Sequence, residues 1–249
     1  MFAARGILTR SLVGLALALI AAGAQAAGIR TNADASGPTQ ILFAPATTPA
    51  PLIILISGQS GFDLYTDYAD KISKLGYYTV LLDGNDILAP DQKGGERLKQ
   101  AIARAQATGK VTPGKVPVIG FSLGGGAALT YAARNPVQVS VVIVYFPDTD
   151  FILKTSDPKT FVAKNKVPVL FFAAGKDTYK NCCLVETAKA LAAAAKEVGV
   201  PFELVVYPQA KHDFINKPDY RADDAADAWK RTLEALKAHA APAVAAKTE

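Results

Sequence analysis

One stretch, residues 116–131 (VPVIGFSLGGGAALTY), constrains the fold of this chain more than any other. Apolar β-forming residues lead into the turn GFSLG at 120–124, and a segment rich in small residues follows it. This order predicts a strand, a sharp turn and a buried helix. In a nucleophile elbow, a Gly-x-Ser-x-Gly turn of this kind exposes the serine hydroxyl at the top of a sheet. Ser122 is therefore a candidate nucleophile.

The glycines that flank this serine support the same interpretation. The serine of an elbow has a strained backbone, and a Cβ at Gly120 or Gly124 would collide with the neighbouring strand or helix. Ser122 would also lie at a helix N-terminus, where backbone N–H groups and the helix dipole favour developing negative charge. A glycine-rich packing turn without chemistry is the alternative. The predicted strand and helix on either side favour the nucleophile.

Strands and helices alternate along the rest of the chain. Most predicted strands are uniformly apolar, which is typical of parallel strands buried on both faces. The predicted fold class is therefore α/β, with a mostly parallel central sheet and helices on both faces. Residues 28–51 are expected to form an edge strand with loops, and residues 240–249 a frayed tail. Besides the elbow, we predict strands at 40–44, 52–57, 77–82, 139–146, 167–173 and 202–207, and helices at 66–75, 95–108, 184–198 and 220–238.

The ends of the predicted strands carry the candidate catalytic residues. Sheets of this kind bind ligands outside the carboxyl ends of their strands. Three reactive side chains follow predicted strands, namely Ser122, Asp177 and His212. Serine, then aspartate, then histidine is the order of the catalytic triad in α/β-hydrolases. The sequence therefore predicts an α/β-hydrolase fold with these three catalytic residues.

A serine nucleophile needs a base, and the chain contains two histidines. His212 lies in a predicted loop just past a buried strand, where loop-borne catalytic histidines occur in this architecture. His239 lies near the end of the last predicted helix, where a solvated or helix-capping role is expected. We therefore assign His212 as the base.

A carboxylate must hold the imidazole of this base in one tautomer. Asp177 is the favoured acid because it comes just after the strand predicted at 167–173. Asp148 and Asp150 follow the preceding strand and are the competing candidates. A helix N-cap or turn aspartate is the alternative role for Asp177.

Attack of a serine on an acyl carbonyl also needs N–H donors for the developing oxyanion. The residue after the nucleophile supplies one donor in this fold, which here is Leu123. The loop after the strand at 52–57 should supply the other donor, from Gln59, with Gly58 or Ser60 as neighbouring candidates. Aromatic residues near strand ends could line an apolar pocket or belong to the core: Tyr65, Tyr145, Phe146 and Tyr179.

The N-terminal segment has the three parts of a secretory signal peptide. Arg5 and Arg10 form a basic start, an apolar run follows, and residues 24–26 (AQA) form a small-residue cleavage site. A retained membrane anchor is the alternative, but the run falls short of the ~20 residues that a span needs. We expect removal of residues 1–26, a single α/β domain at 27–249, and a periplasmic or secreted protein without stable membrane insertion.

Several other kinds of site find no support in the sequence. No Cys/His spacing suggests zinc and no phosphate-binding loop is present, so neither a metal nor a cofactor is expected. Lys and Arg are not interleaved with aromatic residues, so the net charge of +5 does not indicate a nucleic-acid partner. Cys182 and Cys183 are adjacent, and two packed thiols are favoured over a vicinal disulfide. The expected partner is a small-molecule ester or lactone substrate, and the oligomeric state is unknown.

Three segments together resemble the dienelactone hydrolase family of the α/β-hydrolase fold. They are GFSLGGGAAL at 120–129, PVLFFAAGKDTY at 168–179 and YPQAKHDFIN at 207–216. The resemblance covers most of the chain after the predicted signal peptide. It implies hydrolysis of an ester or lactone through a covalent acyl-enzyme, with the nucleophile, acid and base at the three positions named above.

The chain also departs from the pattern of that family. The family's best-known enzymes use cysteine at the elbow, where this chain has Ser122. They carry a glutamate in the loop that here contains Gln59, and an arginine where this chain has Asn216. A serine esterase or lactonase with a substrate other than dienelactone is therefore expected. An exported peptidase or acyltransferase, or an inactive binding protein, on the same fold are the alternatives.

Overall fold

The computed structural model describes residues 29–31 and 37–240. The predicted signal peptide at 1–26 and most of the predicted tail, 241–249, lie outside the described residues. Within the described part, eight strands form one sheet in the order β1-β2-β4-β3-β5-β6-β7-β8. The strands are β1 (Ile29–Thr31), β2 (Gln40–Phe43), β3 (Leu52–Ile56), β4 (Tyr78–Leu82), β5 (Val116–Phe121), β6 (Val139–Tyr145), β7 (Val169–Ala174) and β8 (Phe202–Tyr207).

The sheet is parallel from β4 through β8 and antiparallel at its other edge. This arrangement confirms the predicted α/β class with a mostly parallel sheet. The edge strand expected within 28–51 is only partly right. Strand β2 was predicted, but β1 pairs with it and is the outermost strand. Three residues are too few to show a strand period, so the sequence alone could not predict β1.

Helices cover both faces of the sheet. The four long helices were predicted to within one or two residues at each end. The short helix of the elbow was also predicted, but three other short helices were missed, because four to six residues are too few for an apolar period to appear. Two of these three begin at an aspartate whose carboxylate accepts a backbone N–H, Asp83 from Asn85 and Asp157 from Thr160. The helices are α1 (Thr66–Lys74), α2 (Gly84–Ile87), α3 (Gly94–Ala107), α4 (Leu123–Ala127, continued by a π-helical turn at Ala128–Ala132), α5 (Asp150–Thr155), α6 (Pro158–Val162), α7 (Val185–Val198) and α8 (Ala222–His239).

The core lies on both sides of the central strands. Ile54 and Ile56 of β3 pack into one hydrophobic cluster, whereas Ile53 and Leu55 pack into the other, and all four are fully buried. Burial on both faces explains why this strand reads as a continuous apolar run. No helix in the described part of the chain is long and apolar enough to cross a membrane.

Strand order brings the candidate residues together at the carboxyl end of the parallel strands. Strands β5, β6, β7 and β8 are consecutive neighbours, and they all run in the same direction. The loops after β5, β7 and β8 therefore leave from the same end of the sheet. Ser122, Asp177 and His212 lie on these three loops.

Candidate active site

The turn after β5 has the geometry of a nucleophile elbow. Ser122 has φ 49° and ψ −116°, a conformation that L residues rarely adopt. A Cβ at Gly120 would collide with the backbone of Gly124 and Gly125, and a Cβ at Gly124 would collide with the carbonyl oxygens at the end of β3. Both glycines are therefore required by close backbone approach, as predicted.

The three candidate residues form a hydrogen-bonded chain. His212 Nε2 lies 3.1 Å from Ser122 Oγ, and His212 Nδ1 lies 2.7 Å from Asp177 Oδ2. The Asp177 side chain is fully buried, whereas 14% of the His212 side chain is exposed. In this arrangement the buried carboxylate orients the imidazole, and the other ring nitrogen is within reach of the serine proton.

The two competing carboxylates contact other groups. Asp150 forms an ion pair with Lys154 on α5. Asp148 Oδ1 accepts the backbone N–H of Asp150 at 3.2 Å, and burial raises the pKa of the Asp148 carboxyl above its ordinary value. Asp177 is thus the carboxylate that contacts His212, although Asp148 lies close by in the same site.

Two aromatic rings hold the imidazole of His212. Tyr179 stacks on it with ring centroids 4.5 Å apart and planes 15° apart. Phe146 meets it edge-on with centroids 5.0 Å apart. Of the four aromatic residues considered for a pocket, Tyr179 is half exposed at the site, whereas Tyr65, Tyr145 and Phe146 are buried in the core.

A cavity of about 250 Å³ opens beside the nucleophile. Both candidate oxyanion donors line it. Leu123 is the first residue of α4, so its N–H has no acceptor within the helix. Gln59 comes just after β3, and Gly58 next to it approaches Ser122 so closely that a Cβ there would lie 3.3 Å from the serine Cβ. The cavity-lining residues are Gln59, Ser122, Leu123, Asp148, Asp150, Tyr179, Lys180 and Cys182.

The segment after β7, residues 179–183, forms one wall of this cavity, and we call it the cysteine segment. Lys180 and Asn181 both have positive φ angles, of 48° and 56°. The Lys180 ammonium donates to Gln59 Oε1 at 3.1 Å and so bridges two loops of the site. The carbonyl of Cys182 accepts the backbone N–H groups of Thr149 and Asp150. The role of this segment was not predicted, because no local pattern in the sequence marks it.

The two cysteines are bonded to each other, which differs from the prediction. Two packed thiols were favoured, but the structure joins Cys182 and Cys183 in a vicinal disulfide. The pair is close to the candidate base, because the two sulfur atoms and a ring nitrogen of His212 lie within 4.8 Å of one another. This cluster could not be predicted from the spacing of cysteines and histidines along the chain.

The second histidine lies elsewhere. His239 is in the last turn of α8, as predicted, and lines a separate cavity with Arg231 and Glu234 of the same helix. It is therefore a suitable control position for experiments on His212.

Comparison with known proteins gives one consistent picture. The model of the dienelactone hydrolase family matches residues 85–240. A "Putative carboxymethylenebutenolidase" from Methylorubrum extorquens is 28% identical over 207 residues, which are 74% of this chain and 70% of the relative. A "Probable 2-oxo-3-(5-oxofuran-2-ylidene)propanoate lactonase" from Bradyrhizobium sp. is 26% identical over 214 residues, 76% of this chain and 84% of the relative.

A solved structure shows the same fold. It is described as a "Putative Dienelactone Hydrolase" from Klebsiella pneumoniae and superimposes with a TM-score of 0.70 at 20% sequence identity. The match covers 84% of this chain and 98% of that one. The family model, which covers more than half of the sequence, confirms the resemblance based on the three sequence segments. The chain belongs to the dienelactone hydrolase family.

Proposed function

We propose that this protein is a serine hydrolase that cleaves carboxylic esters or lactones through an acyl-enzyme. The observation that carries the proposal is the hydrogen-bonded chain from Ser122 through His212 to the buried Asp177. The names of the relatives from Methylorubrum and Bradyrhizobium, a butenolidase and a lactonase, support the same substrate class.

The first half of the reaction acylates the serine. Ser122 Oγ attacks the acyl carbonyl while His212 Nε2 takes its proton, and Asp177 stabilises the imidazolium that forms. The tetrahedral intermediate then collapses, the bond to the leaving oxygen breaks, and His212 donates the proton to the departing alcohol. For a lactone, the leaving alcohol stays attached to the acyl group through the former ring.

The second half of the reaction releases the acid. His212 takes a proton from water, and the resulting hydroxide attacks the acyl carbonyl. Collapse of the second intermediate returns the proton to Ser122 and frees the carboxylic acid. In both halves we assign the N–H groups of Leu123 and Gln59 to the oxyanion, because both residues line the cavity beside the serine.

The size of the cavity favours a small substrate. Binding sites for drug-sized ligands have volumes of roughly 300–1,000 Å³, whereas the volume of this cavity is about 250 Å³. Short acyl chains and small lactones therefore suit it better than long-chain esters. Hydrolysis rates should accordingly be higher for short acyl chains than for long ones.

The first experiment measures hydrolysis of p-nitrophenyl acetate and butyrate, and of a small lactone, at pH 6 to 9. Wild type is compared with Ser122→Ala, His212→Ala and the matched control His239→Ala. We expect the first two variants to lose about three or more orders of magnitude of rate, whereas the control keeps the wild-type rate. Equal slow rates for all four proteins would contradict the proposal.

A fluorophosphonate probe separates the remaining alternatives. An active serine hydrolase should be labelled at Ser122, whereas an inactive binding protein on this fold should stay unlabelled. Labelling together with turnover of amides rather than esters would favour the peptidase. Acyl transfer to an added alcohol at the expense of hydrolysis would favour the acyltransferase.

We also propose that the protein is exported. The support is the basic start, apolar run and AQA site within residues 1–26. The test is expression of the full chain followed by cell fractionation and mass spectrometry of the N-terminus. A chain that begins at Ala27 in the periplasm or medium supports export. An intact N-terminus in the cytoplasm or membrane contradicts it.

A further inference from the structure

We propose that the reduced thiols of Cys182 and Cys183, together with His212, form a binding site for a soft divalent cation such as Zn²⁺ or Cd²⁺. In this site the metal takes the imidazole out of the catalytic triad. The vicinal disulfide keeps the site closed, and its reduction opens it. The metal site itself does not depend on the proposed function, whereas its inhibitory effect does.

The three donor atoms lie close together. The sulfur atoms of both cysteines and a ring nitrogen of His212 lie within 4.8 Å of one another. Ligands of a tetrahedral zinc lie roughly 3.5–3.8 Å apart, given metal–ligand bonds of about 2.0–2.3 Å. Once the bond between the sulfurs is broken, small side-chain rotations can thus bring the three atoms to coordination distance.

The chemistry of these donor atoms suits a soft cation. Two thiolates and one imidazole are ligands that zinc and cadmium prefer over calcium or magnesium. Two thiolates would also neutralise the charge of a divalent cation. Cys182 lines the cavity beside Ser122, so a fourth position could remain open to water from the cavity.

His212 is already oriented as a metal ligand. Its Nδ1 is held by the Asp177 carboxylate at 2.7 Å, which leaves Nε2 to face the cavity. Metal-binding histidines are commonly oriented by a carboxylate in this way. A cation on Nε2 would replace the hydrogen bond to Ser122 Oγ, and the serine would lose its base.

The redox step balances with a dithiol reductant. The reductant gives two electrons and two protons to the disulfide, which yields two thiols and the oxidised, disulfide form of the reductant. Metal binding then displaces one proton from each thiol. In an oxidising compartment the disulfide persists, so the triad stays intact even when metal is present.

The test uses the mature protein in its oxidised form and after reduction with dithiothreitol. The reductant is removed by anaerobic gel filtration, and thiol titration verifies two free thiols per chain. Cd²⁺ is then added while thiolate-to-metal charge-transfer absorption and p-nitrophenyl acetate hydrolysis are both recorded. The absorption is a readout of the site that does not require activity.

The reduced protein should bind one Cd²⁺ per chain at least 100-fold more tightly than the oxidised protein. It should lose more than nine-tenths of its hydrolytic rate, and a chelator should restore the rate. His212→Ala should weaken Cd²⁺ binding by at least 10-fold, whereas the control His239→Ala should leave it unchanged. The activity that remains in Cys182→Ser/Cys183→Ser should be insensitive to Cd²⁺.

Three results would overturn the proposal. One is a reduced protein with two free thiols but no charge-transfer band. Another is equal Cd²⁺ affinity in wild type and His212→Ala, which would place the metal on the thiols alone. The third is metal binding with full hydrolytic activity, which would mean that His212 stays in the triad. If the metal-free enzyme is itself inactive, the proposed function fails, but the absorption measurement still decides the metal site.

Discussion

Tyr179 lies flat against the imidazole of His212, with ring centroids 4.5 Å apart and planes 15° apart. Phe146 contacts the same imidazole edge-on. Together with the hydrogen bond to Asp177, these two rings restrict both the position and the tilt of the imidazole. The stack also links His212 to the cysteine segment, because Tyr179 is the first residue of that segment.

Replacement of Tyr179 should therefore impair catalysis through the position of His212. We expect Tyr179→Ala to lower kcat/KM for p-nitrophenyl acetate roughly 10- to 100-fold, since small displacements of a catalytic group are costly. Tyr179→Phe should keep most of the rate because the ring remains. Tyr220, an exposed tyrosine before α8, provides the control variant Tyr220→Ala. Equal rates for Tyr179→Ala and Tyr220→Ala would show that the stack does not position the base.

Replacement of Asp177 by asparagine should lower kcat by about two to four orders of magnitude. Asparagine keeps the size of the side chain but can hold the imidazole in the wrong tautomer. Asp148→Asn is the matched comparison, because Asp148 lies in the same cavity without contact to His212 Nδ1. Steady-state kinetics at pH 7 to 8 measures both variants. A larger loss in Asp148→Asn than in Asp177→Asn would contradict the assignment of the acid.

Replacement of Gly124 by alanine should destabilise the protein by about 1–3 kcal/mol or prevent its folding. The added Cβ would collide with the carbonyl oxygens of Ile56 and Ser57, which belong to backbone that cannot move away easily. Gly95→Ala in α3 is the control, since its Cβ would meet side-chain atoms of Tyr131 rather than backbone, the nearest at 3.3 Å. Urea denaturation measures the free energy of unfolding. A wild-type value for Gly124→Ala would be inconsistent with the close approach of α4 to β3.

Replacement of Asp148 by asparagine should stabilise the protein at neutral pH but not in acid. Burial raises the pKa of the Asp148 carboxyl, so the folded protein binds this proton more tightly than the unfolded chain does. Stability due to this group is therefore lost as the pH rises from the ordinary carboxyl range through the raised value. Asparagine cannot ionise, and its side-chain oxygen can still accept the Asp150 N–H.

Asp157 provides the control for this prediction, because its carboxyl pKa is shifted in the opposite direction from that of Asp148. A hydrogen bond from the Thr160 side chain lowers the pKa of Asp157, whose carboxylate also accepts the Thr160 backbone N–H. Stability from that carboxylate is present at neutral pH and is lost in acid. Denaturation at pH 3 and pH 7 should therefore show Asp148→Asn gaining stability relative to wild type at pH 7, whereas Asp157→Asn loses some. Parallel pH profiles for the two variants would refute the argument.

Much of the fold could be predicted from local patterns. The apolar run of β3, the alternation of strands with long helices, and the turn around Ser122 each predicted their element correctly. The short elements were missed, since β1 and α2 contain too few residues for a period to appear. The sequence predicted a mostly parallel sheet but not the order of its strands, because no local pattern specifies which strands are neighbours.

Some residues of the candidate site could likewise be predicted from the sequence, whereas the contacts between its loops could not. Chain order and loop position were enough to select Ser122, Asp177 and His212, and the structure brings these three together. Their catalytic roles stay a prediction until the variants are measured. Sequence reasoning left Tyr179 undecided between core and pocket, and gave no sign of the bridge from Lys180 to Gln59. Contacts of this kind join loops that are far apart in the chain.

The sequence by itself determined the chemistry available to this protein and the elements that carry it. Hydrophobic periods and glycine positions act over a few residues, so they can be recognised without the fold. Only the tertiary structure decided what meets at the carboxyl end of the sheet. It selected Asp177 over Asp148 as the partner of His212, and it placed Cys182 and Cys183 beside that histidine. These choices depend on strand order and loop paths, which arise from the packing of the whole chain.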